Sequence, residues 1–123
     1  MNKKRILLAD DEQDMVFAVK LQLEASNFEV VTVSDGQQAL DKARKEKPDL
    51  IILDVMLPKL DGYKVCRMLK FDEKYKKIPI ILFTARIQKS DEELGFAVGA
   101  DAYITKPFES QIFITKINEL LKL

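Results

Sequence analysis

Short apolar runs alternate with amphipathic stretches along the whole chain. The apolar runs are "RILLA" (Arg5–Ala9), "EVVTV" (Glu29–Val33), "LIIL" (Leu50–Leu53), "IPIILF" (Ile78–Phe83) and "AYIT" (Ala102–Thr105). Several are continuous rather than alternating, the mark of parallel strands covered on both faces. Between them lie stretches of helical period, roughly Glu12–Ser26, Gln37–Lys45, Gly62–Asp72, Asp91–Val98 and Glu109–Lys122. Five such units predict an α/β fold: an open, doubly wound, five-stranded parallel sheet with right-handed crossovers and helices on both faces.

Composition narrows the class. At 123 residues, 47% apolar and 33% charged, the chain is one globular domain with a single core. Twenty basic and 20 acidic residues give no net charge, so direct binding of nucleic acid is not expected. A lone cysteine, Cys66, excludes an internal disulfide and fits a reducing compartment. The opening "MNKKRILLAD" turns acidic too early for a signal peptide, and no run is long enough to span a bilayer. A cytoplasmic protein without membrane insertion is expected. There is no histidine, which removes Ser-His-Asp and Cys-His catalysis and any imidazole ligand. A metal would be held by oxygen.

In open parallel sheets, sites form at the carboxyl ends of the strands. There the first strand delivers Asp10 and Asp11, the third Asp54, the fourth Thr84 and the fifth Lys106. Ser34 and Asp35 follow the second strand, which as an edge strand would place them off centre. Each residue alone has a plainer role: acids starting a helix, a threonine capping a turn, an exposed lysine, an aspartate stopping a strand. Their joint arrival on one edge points to chemistry. Three carboxylates repel unless a cation offsets them. Mg²⁺ takes one or two carboxylates with waters and a phosphate oxygen, whereas Ca²⁺ wants more protein oxygens. "DDEQDM" also lacks the EF-hand glycine, Met15 standing in its place. Carboxylates, Mg²⁺, lysine and hydroxyl are the parts that handle phosphoryl groups, and aspartate can itself be the nucleophile.

The glycines Gly36, Gly62, Gly95 and Gly99 form neither a P-loop nor a dinucleotide fingerprint. The acidic first loop would repel the phosphate of a flavin mononucleotide. An aspartyl-nucleophile phosphatase of the haloacid dehalogenase type needs a second Asp two residues after the nucleophile. Met56 stands there and cannot transfer a proton. Slow turnover of a phospho-aspartate describes a switch rather than a catalyst.

Four motifs, "ILLADDE", "PDLIILDVMLPKLDG", "IPIILFTA" and "GADAYITKPF", resemble the receiver domain of bacterial two-component response regulators across the full 123 residues. The resemblance implies the flavodoxin-like strand order 2-1-3-4-5. It implies that Asp54 accepts the phosphoryl group in a Mg²⁺-dependent reaction, with Mn²⁺ able to substitute. Asp11 would bind the metal directly and Asp10 through water; Asp54 and the backbone carbonyl of Met56 complete the set. Lys106 and Thr84 would contact the phosphoryl oxygens, and Tyr103 would be the aromatic switch that follows Thr84. The Lys106–Pro107 bond is expected to be cis. Such a domain catalyses its own phosphorylation and slow autodephosphorylation without being an enzyme otherwise. Met56 and Arg86 flank the pocket and would hinder an attacking water.

The first helix carries two apolar stripes. Met15, Val16, Val19 and Leu23 form the expected core face, and Phe17, Ala18, Leu21 and Ala25 a second stripe beside it. Either the last helix covers that stripe or a partner does. By resemblance the partner is a sensor histidine kinase or phosphotransfer protein, docking on Met15, Phe17, Ala18 and Leu21 with Phe108 and Ile112. The chain is expected to carry no output domain. It would signal to a separate target through the face of the fourth helix, fifth strand and fifth helix. "KYKK" at Lys74–Lys77 is a solvated loop. A receiver-like binding module that is never phosphorylated is the first alternative, and an aspartyl-nucleophile phosphatase the second.

Overall fold

The computed structural model describes residues 3–85, 93–94, 96–106 and 110–123. Five strands, β1 (Arg5–Ala9), β2 (Glu29–Val33), β3 (Leu50–Asp54), β4 (Ile80–Thr84) and β5 (Ala102–Thr105), form one sheet. All pairings are parallel and the order is β2-β1-β3-β4-β5, as expected. The helices are α1 (Gln13–Ala25), α2 (Gly36–Glu46), α3 (Gly62–Lys70) and α4 (Ser110–Leu121). Of the predicted stretch Asp91–Val98, the described residues 93, 94, 96 and 97 are helical.

Two strands end one residue further on than the apolar pattern suggested, and one of them also starts later. β3 includes Asp54, paired with Phe83, and β4 starts at Ile80 and includes Thr84. Pro79 has no N–H to donate to a ladder, so the strand begins after it, while its carbonyl still accepts from Ile51 N at 3.0 Å. Hydrogen bonding to neighbours, not hydrophobicity, sets both ends.

Strand alternation divides the core into two layers. Leu7, Ile51, Leu53, Ile80 and Leu82 pack against Ala39, Leu40 and Ala43 of α2 and Val65, Cys66 and Leu69 of α3. Ile6, Leu8, Leu50, Ile52, Ile81 and Phe83 pack against Val16, Val19 and Leu23 of α1 and Phe113 and Ile117 of α4. Burying each such side chain contributes about 1.5–3 kcal/mol, enough in sum to hold the strand ends in register. The Cys66 thiol is fully buried, and burial pushes its pKa up to about 12. Asp35 caps α2 through Gln38 N at 2.7 Å, and Asp61 caps α3 through Lys64 N at 3.0 Å.

Gly62 opens α3 directly behind the end of β3. A Cβ there would stand 2.3 Å from the Asp54 carbonyl oxygen, a backbone atom that cannot step aside. Gly62→Ala is therefore expected to lower unfolding stability in urea by about 1–3 kcal/mol, the cost of overpacking a fixed contact. A neutral result would mean that this approach is not tight.

Candidate functional site

The carboxyl edge of the sheet gathers the predicted residues. Asp10 and Asp54 are buried, 1% and 5% exposed, and Asp11 beside them is exposed. One carboxylate oxygen from each lies within 4.8 Å of the others. The Lys106 ammonium donates to Asp10 Oδ2 at 2.9 Å and to Asp54 Oδ2 at 3.2 Å. It also sits 4.7 Å from the centre of the Phe83 ring, whose face favours a cation. The remaining oxygens are held by backbone: Glu12 N donates to Asp10 Oδ1 at 2.8 Å, and Met56 N to Asp54 Oδ1 at 3.1 Å.

Local sequence explains this placement. Asp54 has the parity of Leu50 and Ile52, so it points to the α1 and α4 side. On β5, Ile104 packs against that same layer, and Lys106 shares its parity. Lys106 N donates to the Thr84 carbonyl at 2.7 Å, which ties the end of β5 to the end of β4. Thr84 is 1% exposed.

Burial dominates the Asp10 carboxyl and holds its pKa above the ordinary value. The hydrogen bonds from Lys106 and Glu12 N pull it down in part, and the charge of Asp54 pushes it up again. For Lys106, burial disfavours the charge, but the hydrogen bond to Asp10 and the charges of Asp54 and Asp10 together outweigh it and raise the pKa. The ammonium therefore stays on the site at neutral pH. Three carboxylates against one ammonium leave the cluster negative, and every ligand atom is a hard oxygen. Such a donor set fits Mg²⁺ or Mn²⁺, with Asp10, Asp11 and Asp54 the side chains that would hold the ion.

Other predicted positions fall elsewhere. Tyr103 lies opposite Leu82 and packs, half-buried, against the α2 and α3 layer. Met56 is 59% exposed. Val16, Val19 and Leu23 are core, and Met15 is half-buried against them. The second stripe of α1 is open: Phe17 and Leu21 are 65% and 52% exposed, Ala18 and Ala25 are exposed, and Ile112 of α4 is 58% exposed. The last helix does not cover it. Arg86, Pro107 and Phe108 lie outside the described residues. Reading the sequence misses Gly36, whose amide holds the Pro58 carbonyl in the loop after β3. Its signal is the acid-glycine pair opening α2.

An all-oxygen cluster with a lysine at the carboxyl edge of a 2-1-3-4-5 parallel sheet narrows the class to the receiver domains of two-component signalling. The chain belongs to the response regulator receiver domain family, whose model matches residues 6–118. It is 47% identical over 122 residues, 99% of the chain and 50% of the relative, to the alkaline phosphatase synthesis transcriptional regulatory protein PhoP of Bacillus subtilis. It is 40% identical over 118 residues, 96% of the chain and 49% of the relative, to the DNA-binding dual master transcriptional regulator RpaA of Synechocystis. The receiver domain of sensor histidine kinase PA1611 from Pseudomonas aeruginosa superposes with a TM-score of 0.91 at 29% identity, covering 99% and 100% of the two chains. That structure has a magnesium ion coordinated in its active-site cleft.

The chain spans about half the length of the curated relatives it matches. These relatives correct one expectation, that nucleic acid has no place among the partners. They are transcriptional regulators, and one is named as DNA-binding. A net charge of zero describes only the surface of these 123 residues and cannot speak for regulators twice as long. Among the described residues no helix is long and apolar enough to cross a membrane.

Because Asp10 has its pKa raised on folding, its ionised form opposes folding. That penalty is absent below the ordinary value of 3.8 and complete above the raised folded value. Asp10→Asn is therefore expected to melt above the parent at pH 7 without divalent ions, the gap closing as the pH falls toward 3.8. A variant that melts lower at pH 7 would show that the bond to Lys106 outweighs the burial of charge.

Proposed function

We propose that this domain is a phosphorylation-activated switch in which Asp54 accepts a phosphoryl group from a histidine kinase or phosphotransfer protein. One observation carries the reading: the Lys106 ammonium bridges Asp10 and Asp54, with the Asp11 carboxylate beside them. An Asp54 oxygen bonds to phosphorus as the phosphorus–nitrogen bond of a phosphohistidine breaks. The electron pair leaves with the imidazole, which takes a proton from solvent. A bound Mg²⁺ supplies charge neutralisation for the phosphoryl oxygens. Asp10, Asp11 and Asp54 would hold the ion, and the Met56 backbone carbonyl would complete the protein ligands.

Lys106 pairs with the developing phosphoryl charge, and the Thr84 hydroxyl donates to another of its oxygens. As Thr84 moves toward the phosphoryl group, Tyr103 follows it and carries the change to the face that includes the helical residues 93, 94, 96 and 97, β5 and α4. The domain catalyses its own phosphorylation, and Met56 in place of an acid keeps the phospho-aspartate long-lived. The switch works in the cytoplasm. Its output is control of transcription, as in the named relatives, through a target that this face binds. The kinase docks on the exposed residues Phe17, Ala18, Leu21 and Ile112, with the half-buried Met15 on the same helix as the first three.

Incubation with Mg²⁺ and acetyl phosphate is expected to add one phosphoryl mass to the intact protein, and none to Asp54→Asn or in the presence of EDTA. Equal labelling of Asp54→Asn would overturn the assignment. Phe17→Ala is expected to accept phosphate from acetyl phosphate normally while losing transfer from a kinase. Equal loss with both donors would make Phe17 a structural residue only.

A further inference from the structure

Between Asp54 and α3 the chain makes a tight loop held from an unexpected side. Leu60 N donates to the Pro58 carbonyl at 2.7 Å across Lys59, whose φ is 68°. That two-residue bond closes a γ-turn, and with positive φ at a residue carrying a side chain the turn is strained. Such strain persists only where neighbours hold it. The neighbours are the first residues of α2. Gly36 N donates to the same Pro58 carbonyl at 3.0 Å, so one oxygen accepts from two amides. Approach is so close that a Cβ on Gly36 would stand 1.6 Å from the Leu60 carbonyl oxygen.

Asp35 completes the clamp. An ordinary capping aspartate is exposed and uses one oxygen; Asp35 is 5% exposed and uses two. Oδ1 accepts from Gln38 N at 2.7 Å, and Oδ2 faces Lys59 Nζ at 3.5 Å. At the other end of the loop, Leu57 is 6% exposed in the core and Met56 N donates to Asp54 Oδ1 at 3.1 Å. A continuous path thus runs from the cap of α2 to the carboxylate itself.

We propose that Asp35 and Gly36 are positioning residues for Asp54: by clamping the strained turn at Lys59 they fix the Met56 amide that orients the acceptor carboxylate. This rests on the reading of Asp54 as phosphoacceptor and of its cluster as the metal site. The exposed Lys59 contributes little to the clamp through its charge; the cap and the Gly36 amide carry it.

The test compares Asp35→Ala, Asp35→Asn and Ile117→Val with the parent at a temperature where all four are folded. Mg²⁺ affinity is read by calorimetry, and labelling rate with acetyl phosphate by intact mass. Asp35→Ala is expected to lose about tenfold in Mg²⁺ affinity, as supporting residues around metal ligands do, with a matching loss in labelling rate. Asp35→Asn keeps an oxygen for Gln38 N and is expected to recover most of both. Ile117→Val, which loosens the opposite layer far from the loop, is expected to match the parent. Parental behaviour of Asp35→Ala, or an equal loss in Ile117→Val, would overturn the positioning role alone. A parent that neither binds Mg²⁺ nor accepts phosphate would overturn the phosphoacceptor reading with it.

Discussion

One ammonium between two buried carboxylates organises this molecule. Lys106 reaches Asp10 across 96 residues of sequence and Asp54 across 52. Those contacts exist only if β1, β3 and β5 end on the same edge, which the parallel order 2-1-3-4-5 enforces. The two apolar layers hold the strands, and the strands deliver their polar ends. Buried charges of this kind stabilise little by themselves, because desolvation offsets the attraction. Their burial at the edge of a mainly apolar core is understandable as function.

The electrostatic balance is deliberately incomplete. Lys106 neutralises part of the charge and burial keeps Asp10 reluctant to ionise, so the cluster favours any added positive charge. In the proposed reaction a divalent ion would offset the carboxylates and a phosphoryl group would offset the ammonium. Asp54 lies on the central strand of the five, between Asp10 just after β1 and the ends of β4 and β5. It is the carboxylate that the Lys106 ammonium reaches together with Asp10. Its orientation depends in turn on a backbone amide from a strained loop that α2 holds in place.

Much of this was legible in the sequence. Apolar runs located the strands, three of them to the residue, and the polar residues after four of the runs, Asp10, Asp54, Thr84 and Lys106, do fall on one edge of the sheet. Boundaries failed where hydrogen bonding rather than hydrophobicity decides: Pro79 delays β4, and the ladder carries β3 through Asp54. The exposure of Phe17 and Leu21 could not be read, because a helical wheel shows two apolar stripes without saying which one a neighbour covers. The clamp at Asp35, Gly36 and Lys59 was hidden for a different reason. It joins two loops whose proximity is a product of the fold, and a positive φ at a lysine leaves no mark in composition. Charge balance misled about nucleic acid because it measures a surface and not a system.

The central claim is that Asp54, and neither of the two carboxylates beside it, is the acceptor. Borohydride reduction of the phosphorylated protein turns an acyl phosphate into an alcohol, and peptide mass spectrometry then locates it. The account predicts conversion of Asp54 alone to homoserine. Conversion at Asp10 or Asp11, or a phosphoryl group that survives reduction on Thr84, would contradict it.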